Sequence, residues 1–169
     1  MKFHQINMKK EYYIFRHGQT FATKAGTGYG IRIFSASIIQ EGIPAIKKMG
    51  EYLKNIPLEY QLTSSVRRCI QTTSIITEIT GKSFEKDKRL NEYFLETFGY
   101  FHERITSVIK DIEKTNYEKI AICTHGGGIA IIKNLLINKK IKPSDIFSFP
   151  DPGRLIIIKD NKLEEINFN

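Results

Sequence analysis

The side chains best suited to chemistry follow two apolar stretches of the chain. The stretch YYIF runs directly into Arg16, His17 and Gly18, and the stretch KIAICT runs directly into His125 and Gly126. Guanidinium and imidazole groups are poor core material, but as hydrogen-bond donors they suit the oxygens of a bound anion. A neutral imidazole can also attack phosphorus and hold the phosphoryl group covalently. These positions therefore predict a site at which an anionic, phosphoryl-like group binds and reacts.

A third stretch, QLTSS, leads from a predicted strand into Arg67 and Arg68. The helical spacing of the apolar residues that follow predicts a helix over residues 65–81, with Ser65 as its cap. The N-termini of this helix and of a second one near residue 127 would add unpaired N–H groups and positive dipole ends. Both features again favour an anion.

The stretch RLNEYFLETFGYF supplies two carboxylates, Glu92 and Glu96, among five aromatic residues. Phosphoryl transfer needs an acid that protonates the leaving oxygen and then deprotonates the attacking water. An apolar wall raises the pKa of a carboxyl group towards neutrality, which suits it to both steps. From the residues alone, either carboxylate is a candidate for this role.

Strand-like and helix-like stretches alternate along the chain and must position these side chains. Predicted strands cover residues 12–16, 59–65, 119–125, 146–149, 154–159 and 163–168, and predicted helices cover 42–55, 65–81, 100–114 and 126–137. Residues 20–38 are predicted as a loop. The alternation indicates an α/β fold with a mainly parallel sheet and helices on both faces. Because the carboxyl ends of parallel strands face one crevice, we expect the histidines and arginines to meet there.

Length and composition limit the classes of protein to consider. The 169 residues predict a single domain over residues 1–169. The net charge of +8 favours anionic partners, but no usual nucleic-acid-binding motif occurs, so no nucleic acid is expected as a partner. No membrane partner is expected either, because no apolar run is long enough to span a bilayer. The first residues lack the apolar core of a signal peptide, so we expect a cytoplasmic location. Cys69 and Cys123 are predicted as small buried hydrophobic residues.

Four motifs occur in a fixed order between residues 12 and 137, namely RHGQT, SSVRRCIQTT, RLNE and THGG. In this order and context they resemble the motifs of the histidine phosphatase superfamily, the phosphoglycerate mutase-like group. The resemblance implies a three-layer α/β/α sandwich and a phosphohistidine intermediate. It implies neither a metal nor another cofactor.

The resemblance also implies roles for individual residues. His17 matches the nucleophile, Glu92 matches the general acid and base, and His125 matches the second histidine, which steadies the phosphoryl oxygens. The implied phosphate-binding set is Arg16, Arg68, His125 and Gly126. Arg67 is left as a solvated residue of the first helical turn.

Two departures from the family pattern affect the expected function. Thr23 stands where the family often has an asparagine that helps to bind phosphate. The segment between Glu92 and His125 is short, which predicts an open site and favours a phosphatase over a mutase that must retain its intermediate. We therefore expect a phosphatase acting on a phosphomonoester or phosphoramidate, carried by a small molecule or a phosphoprotein. A phosphomutase and a non-catalytic phosphate-binding protein are the alternatives.

Overall fold

The computed structural model describes residues 10–137 and 139–169, and a sheet of six strands lies at its centre. The strands are β1 (Glu11–Arg16), β2 (Tyr60–Thr63), β3 (Glu85–Lys86), β4 (Lys119–Thr124), β5 (Arg154–Lys159) and β6 (Lys162–Asn167). Their order across the sheet is β3-β2-β4-β1-β5-β6. Strands β1 to β4 are parallel to one another, β5 is antiparallel to its neighbour β1, and β6 is antiparallel to β5. The predicted α/β fold with a mainly parallel sheet is confirmed.

Five α-helices lie within the described residues. They are α1 (Phe21–Ala25), α2 (Ile43–Lys54), α3 (Arg67–Thr80), α4 (Phe98–Glu113) and α5 (Gly126–Leu136). The apolar residues of α2 and α3 pack on one face of the sheet, and those of α4 and α5 pack on the other. None of these helices combines the length and hydrophobicity that a membrane span requires.

The strands are apolar on both sides because each side meets a helical layer. In β1, Tyr12 and Ile14 belong to the core beneath α4 and α5, whereas Tyr13 and Phe15 belong to the core beneath α2 and α3. This alternation follows from the two-residue period of a strand. The three-layer α/β/α sandwich is therefore confirmed, and Cys69 and Cys123 are free and buried within it, as predicted.

The sheet order explains why the motifs meet. Strand β4 lies between β1 and β2, and all three are parallel, so their carboxyl ends are neighbours at one edge. The backbone N–H of His17 donates to the Thr124 carbonyl at 3.2 Å, which joins the first and last motifs directly. The backbone N–H of Ser64 donates to the Cys123 carbonyl at 3.0 Å and brings in the middle motif.

Several local predictions were wrong. Residues 143–147 form a 3-10 helix instead of a strand at 146–149, because Pro143 starts it and the Asp145 carboxylate accepts from the Lys142 N–H at 2.7 Å. The predicted loop at 20–38 contains α1, which Thr20 caps by accepting from the Thr23 N–H at 3.1 Å.

The predicted cap of α3 was also wrong. The residue at the N-cap position is Val66, and no side chain caps this helix end. Ser65 instead donates from its N–H and its hydroxyl to Asn91 Oδ1, both at 2.9 Å. The two-residue strand β3 was not predicted, because it is too short to show a period.

Truncation of a central strand residue should destabilise the whole sandwich. Ile122 is fully buried in β4, so Ile122→Ala should lower the free energy of unfolding by about 2–5 kcal/mol through lost burial and a residual cavity. Urea denaturation measures this quantity. The matched control is Ile31→Ala at a fully exposed position, which should change it by less than about 0.5 kcal/mol. Equal losses in the two variants would contradict this description of the core.

Candidate active site

The His17 imidazole lies at the carboxyl end of β1 and is fully buried. Its Nδ1 is 2.9 Å from the Gly18 carbonyl oxygen, which can only accept, so Nδ1 carries the proton and donates. The neutral ring therefore keeps a lone pair on Nε2. Gly18 fits closely here, because its N–H donates to Thr72 Oγ1 at 2.8 Å and an added Cβ would collide with the Ile46 side chain.

The surroundings of His17 keep its ring neutral. Burial lowers the pKa of His17 well below its usual 6.5, and the nearby His125, Arg68 and Arg16 lower it further. A neutral imidazole with a free Nε2 is the form that can act as a nucleophile.

His125 faces His17, with the two ring centroids 5.3 Å apart. The Ser64 hydroxyl donates to Asn91 Oδ1 at 2.9 Å, so it accepts from His125 Nε2 at 2.8 Å. His125 Nδ1 points into the site, 3.0 Å from Arg68 Nη2. Ser64 and Asn91 thus fix the orientation of the second imidazole.

Arg68 is the most buried cation of the site, with no exposed surface. Its Nη2 lies 3.0 Å from Glu92 Oε2, and its Nη1 donates to the Ile33 carbonyl. The guanidinium also lies over the Tyr29 ring, 4.0 Å from the centroid. These contacts place the predicted clamp beside Glu92 and His125.

Arg16 approaches the same space from the end of β1. Its guanidinium lies over the Phe149 ring at 4.7 Å, and Phe149 packs so closely on Gly126 that an added Cβ there would lie 2.6 Å from the ring. The Nε atoms of Arg16 and Arg68 are both buried and have no hydrogen-bond partner among the described residues. A buried donor without an acceptor costs about 1–3 kcal/mol, so both positions favour a bound anion.

The two candidate carboxylates have different partners. Glu92 Oε2 lies 3.3 Å from His125 Nδ1 and 3.0 Å from Arg68, so Glu92 belongs to the cluster. Glu96 instead pairs with Arg104, whose Nε donates to it at 3.0 Å. Arg104 Nη1 and Nη2 also donate to the carbonyls of Asn91 at 2.9 Å and Glu92 at 3.1 Å. Glu96 thus helps Arg104 to hold the segment that carries Glu92.

The expected pKa of the acid was wrong for this state of the protein. Burial alone would raise the pKa of Glu92, but its hydrogen bond to His125 and the charges of His125, Arg68 and Arg16 lower it to about 2. The positive groups around this carboxylate outweigh the effect of burial, and in this state Glu92 is ionised at neutral pH.

The site is closed, whereas the short segment between Glu92 and His125 predicted an open one. His17, Arg68 and His125 have no exposed surface. The segment after α1 covers the site: the Tyr29 hydroxyl lies 3.4 Å from His17 Nε2, and the Ile33 carbonyl accepts from Arg68. We call this segment, residues 29–33, the cover. Thr23 does not reach the cluster, because its hydroxyl donates to the Thr20 carbonyl at 3.1 Å.

His17, Glu92 and His125 also have the spacing of a possible metal site. One potential ligand atom from each lies within 4.8 Å of the others. However, Arg68 occupies the same space with a fixed positive charge at 3.0 Å from both Glu92 and His125. Repulsion between this charge and a metal ion makes the cluster better suited to an anion.

Sequence reasoning missed three contributors to this site, namely Tyr29, Asn91 and Arg104. Asn91 adjoins Glu92 in the RLNE motif, which is a signal that could have found it. Tyr29 and Arg104 carry no such signal, because each meets the site through contacts between segments distant in the chain.

Solved structures share this fold over most of their length. An alpha-ribazole phosphatase from Shigella flexneri superposes with a TM-score of 0.75 at 18% identity, covering 90% of this chain and 93% of its own. A mycobacterial glucosyl-3-phosphoglycerate phosphatase gives 0.72 at 16%, covering 88% and 89%. A phosphoglycerate mutase from Bacillus anthracis gives 0.68 at 16%, covering 94% and 92%.

The sequence itself identifies the family. A search of curated proteins found no match to this chain. The profile of the histidine phosphatase superfamily (branch 1), in contrast, matches residues 12–98, which include His17, Arg68 and Glu92. The chain therefore belongs to the histidine phosphatase superfamily.

Proposed function

We propose that this chain is a metal-independent phosphatase that hydrolyses a phosphomonoester or phosphoramidate through a phosphohistidine on His17. The observation that carries the proposal is the buried His17 Nε2, which keeps its lone pair, faces only the Tyr29 hydroxyl at 3.4 Å among the described contacts, and lies in a cluster of cations. A phosphoryl group spreads its charge over three oxygens, and preorganised cations stabilise that charge in the transition state. Arg16, Arg68 and His125 are the proposed partners of those oxygens.

Substrate entry requires the cover to move. Tyr29 and the Ile33 carbonyl contact Arg68 and His17 in the space where a phosphoryl group would bind. A phosphoryl group offers Arg68 stronger acceptors than one backbone carbonyl, because bidentate pairing between a guanidinium and an anion is charge-assisted. Substrate binding thus exchanges protein contacts for phosphate contacts.

In the first chemical step, His17 Nε2 forms a bond to phosphorus while the bond to the leaving oxygen or nitrogen breaks. The leaving atom takes a proton from Glu92. Glu92 can carry this proton once the substrate is bound. The negative charge of the phosphoryl group raises the pKa of Glu92 from its value of about 2 in the unliganded site. The proton arrives with the monoanionic form of the substrate.

In the second step, the Glu92 carboxylate accepts a proton from water, and the oxygen of that water attacks phosphorus. The bond between His17 Nε2 and phosphorus breaks, the electron pair returns to Nε2, and inorganic phosphate leaves. The same carboxyl group thus acts first as acid and then as base. A phosphomutase would instead transfer the phosphoryl group to a second hydroxyl, and the similarity to a mutase structure makes this the alternative to test.

The closed site also bears on partners and location. A phosphoryl group that must reach fully buried residues is best supplied by a small molecule, so we favour a phosphorylated metabolite over a phosphoprotein. The free, buried cysteines agree with the proposed location in the reducing cytoplasm.

Removal of the nucleophile should abolish turnover. His17→Ala should lower phosphate release from p-nitrophenyl phosphate by at least about 10³-fold, because no other group can form the covalent intermediate. Wild type, but not this variant, should also carry acid-labile phosphate after quenching with a labelled ester. His102→Ala is the matched control, since His102 lies on α4 and its ring contacts Phe98, with the centroids 5.8 Å apart. Equal rates for wild type and His17→Ala would reject catalysis, and loss of wild-type activity in EDTA would reject metal independence.

Removal of the acid should matter most for poor leaving groups. Glu92→Gln should lower kcat by about 10²–10⁴-fold on an alkyl phosphate, whose alkoxide needs a proton to depart. The loss on p-nitrophenyl phosphate should be smaller, because p-nitrophenolate leaves without protonation. Glu96→Gln, which perturbs the pair with Arg104, is the matched control and should not show this dependence on the leaving group. The assignment of the acid fails if Glu96→Gln reproduces the pattern and Glu92→Gln does not.

The pH dependence should reflect the depressed pKa of His17. Attack requires the neutral ring. Burial, together with the charges of His125, Arg68 and Arg16, lowers the pKa of His17 below its usual 6.5. His17 should therefore stay neutral as pH falls through 6.5, and NMR titration should give a midpoint below that value. Arg16→Met should move the midpoint upward, because one neighbouring positive charge is lost. A midpoint at or above 6.5 in the wild type would contradict the described environment.

A further inference from the structure

Glu92 and Arg16 are charged residues of the site that remain partly exposed, so a leaving group can extend past either of them. His17, Arg68 and His125 have no exposed surface, whereas the Glu92 side chain is 15% exposed. In the proposed mechanism, Glu92 protonates the leaving atom, so that atom must lie next to the Glu92 carboxyl group. The rest of the leaving group therefore extends outward on the side of Glu92.

An aromatic pair stands on this side of the cluster. The rings of Phe34 and Phe94 contact each other edge to face, with centroids 5.5 Å apart and planes at 90°. Phe94 lies two residues after Glu92, and Phe34 follows Ile33, whose carbonyl accepts from Arg68. The pair thus joins the segment that carries the acid to the segment that covers the site.

These rings and two neighbouring aliphatic side chains are exposed to water. Phe34 is 50% exposed and Phe94 is 39% exposed, while Ile31 and Leu95 are almost fully exposed. We call these four residues the apolar rim. Phe34 and Phe94 contact each other, and Ile31 and Leu95 belong to the rim by their positions in the chain, three residues before Phe34 and directly after Phe94. Exposed large apolar side chains beside a reactive site are typical of a surface that binds an apolar group.

The backbone of Leu95 supports a functional reason for the rim. Its φ of 50° lies in the left-handed region, which is unfavourable for a leucine. The flanking residues are held in place, because Arg104 binds the Glu92 carbonyl at 3.1 Å and Thr97 caps α4 at 3.2 Å. The fold thus keeps a large apolar side chain in water, in a backbone conformation that is unfavourable for leucine.

We propose that the apolar rim binds the leaving group of the substrate, and that this group is aromatic or otherwise bulky and apolar. The inference rests on the proposed phosphatase function, because it takes the position of the leaving group from the role of Glu92. It names the substrate class of the same site: phosphate esters of arylalkyl or similarly apolar alcohols. Burial of such a group against the rim contributes about 1.5–3 kcal/mol, which corresponds to roughly 10- to 150-fold in kcat/KM.

The same part of the fold offers one competing subsite. Arg32 and Arg67 line a second cavity, whose other lining residues include Phe21 of α1 and Tyr29. Neither arginine has an ion-pair partner among the described residues. Those two cations would suit a leaving group that carries a second negative charge. Glu92 does not line that cavity, so the direction of the leaving group favours the rim.

Three esters of primary alcohols separate these possibilities. Phosphate release from propyl phosphate, 3-phenylpropyl phosphate and 2-carboxyethyl phosphate compares a small, an apolar and an anionic leaving group, all of which are primary alcohols. For wild type we expect kcat/KM on the phenylpropyl ester to exceed that on the propyl ester by about tenfold or more. Phe34→Ala and Phe94→Ala should each reduce this ratio at least about threefold, and the double variant should reduce it further.

A matched control exists at the opposite end of the sheet. Tyr117 is an exposed aromatic residue that pairs with the Tyr60 ring at 5.2 Å, just before the start of β4. Tyr117→Ala should keep the wild-type ratio between the two esters. Should either phenylalanine variant fail to fold, Ile31→Ala and Leu95→Ala truncate rim side chains that are already exposed, and they should lower the ratio as well.

Different failures have different meanings. The inference is overturned if wild type releases phosphate from all three esters without preferring the phenylpropyl ester. It is also overturned if the rim variants keep the wild-type preference. In both cases the phosphatase proposal still stands. The highest kcat/KM on the carboxyethyl ester also overturns it, in favour of the Arg32 and Arg67 cavity. No phosphate release from any ester counts against the proposed function itself.

Discussion

The burial of one guanidinium group constrains the rest of this site. Arg68 has no exposed surface, and a charge removed from water must be paired, because an unpaired buried ion costs several kcal/mol. Its acceptors come from two distant parts of the chain, namely the Glu92 carboxylate and the Ile33 carbonyl, and the His125 imidazole lies beside it at 3.0 Å. Pairing this cation therefore draws Glu92 and the covering segment together next to His125 and His17.

The pairing of Arg68 also explains the protonation states in the unliganded site. The same positive field that keeps His17 neutral keeps Glu92 ionised, since it disfavours another cation and favours an anion. In the proposed mechanism, His17 is thus ready to attack before substrate binds, whereas Glu92 can donate a proton only after a phosphoryl group brings negative charge next to it.

The segment that carries Glu92 is held by hydrogen bonds from several elements of the fold. Asn91 accepts from both serines that follow β2, and Thr124 Oγ1 donates to the Leu90 carbonyl at 2.7 Å. Arg104, on α4, donates hydrogen bonds to the backbone carbonyls of Asn91 and Glu92. An irregular segment can therefore position a carboxylate in the manner of a regular element, as preorganised catalysis requires.

The sequence alone determined the layered α/β fold, the family and the positions of His17, Arg68 and His125 at strand and helix ends. These features depend on local periodicity and on the order of short motifs, both of which are properties of contiguous residues. Only the tertiary structure decided that Glu92 joins the cluster while Glu96 pairs with Arg104, that cations lower the pKa of Glu92, and that Tyr29 closes the site. These properties arise from contacts between residues far apart in the chain, and such contacts exist only once the strands and helices have packed.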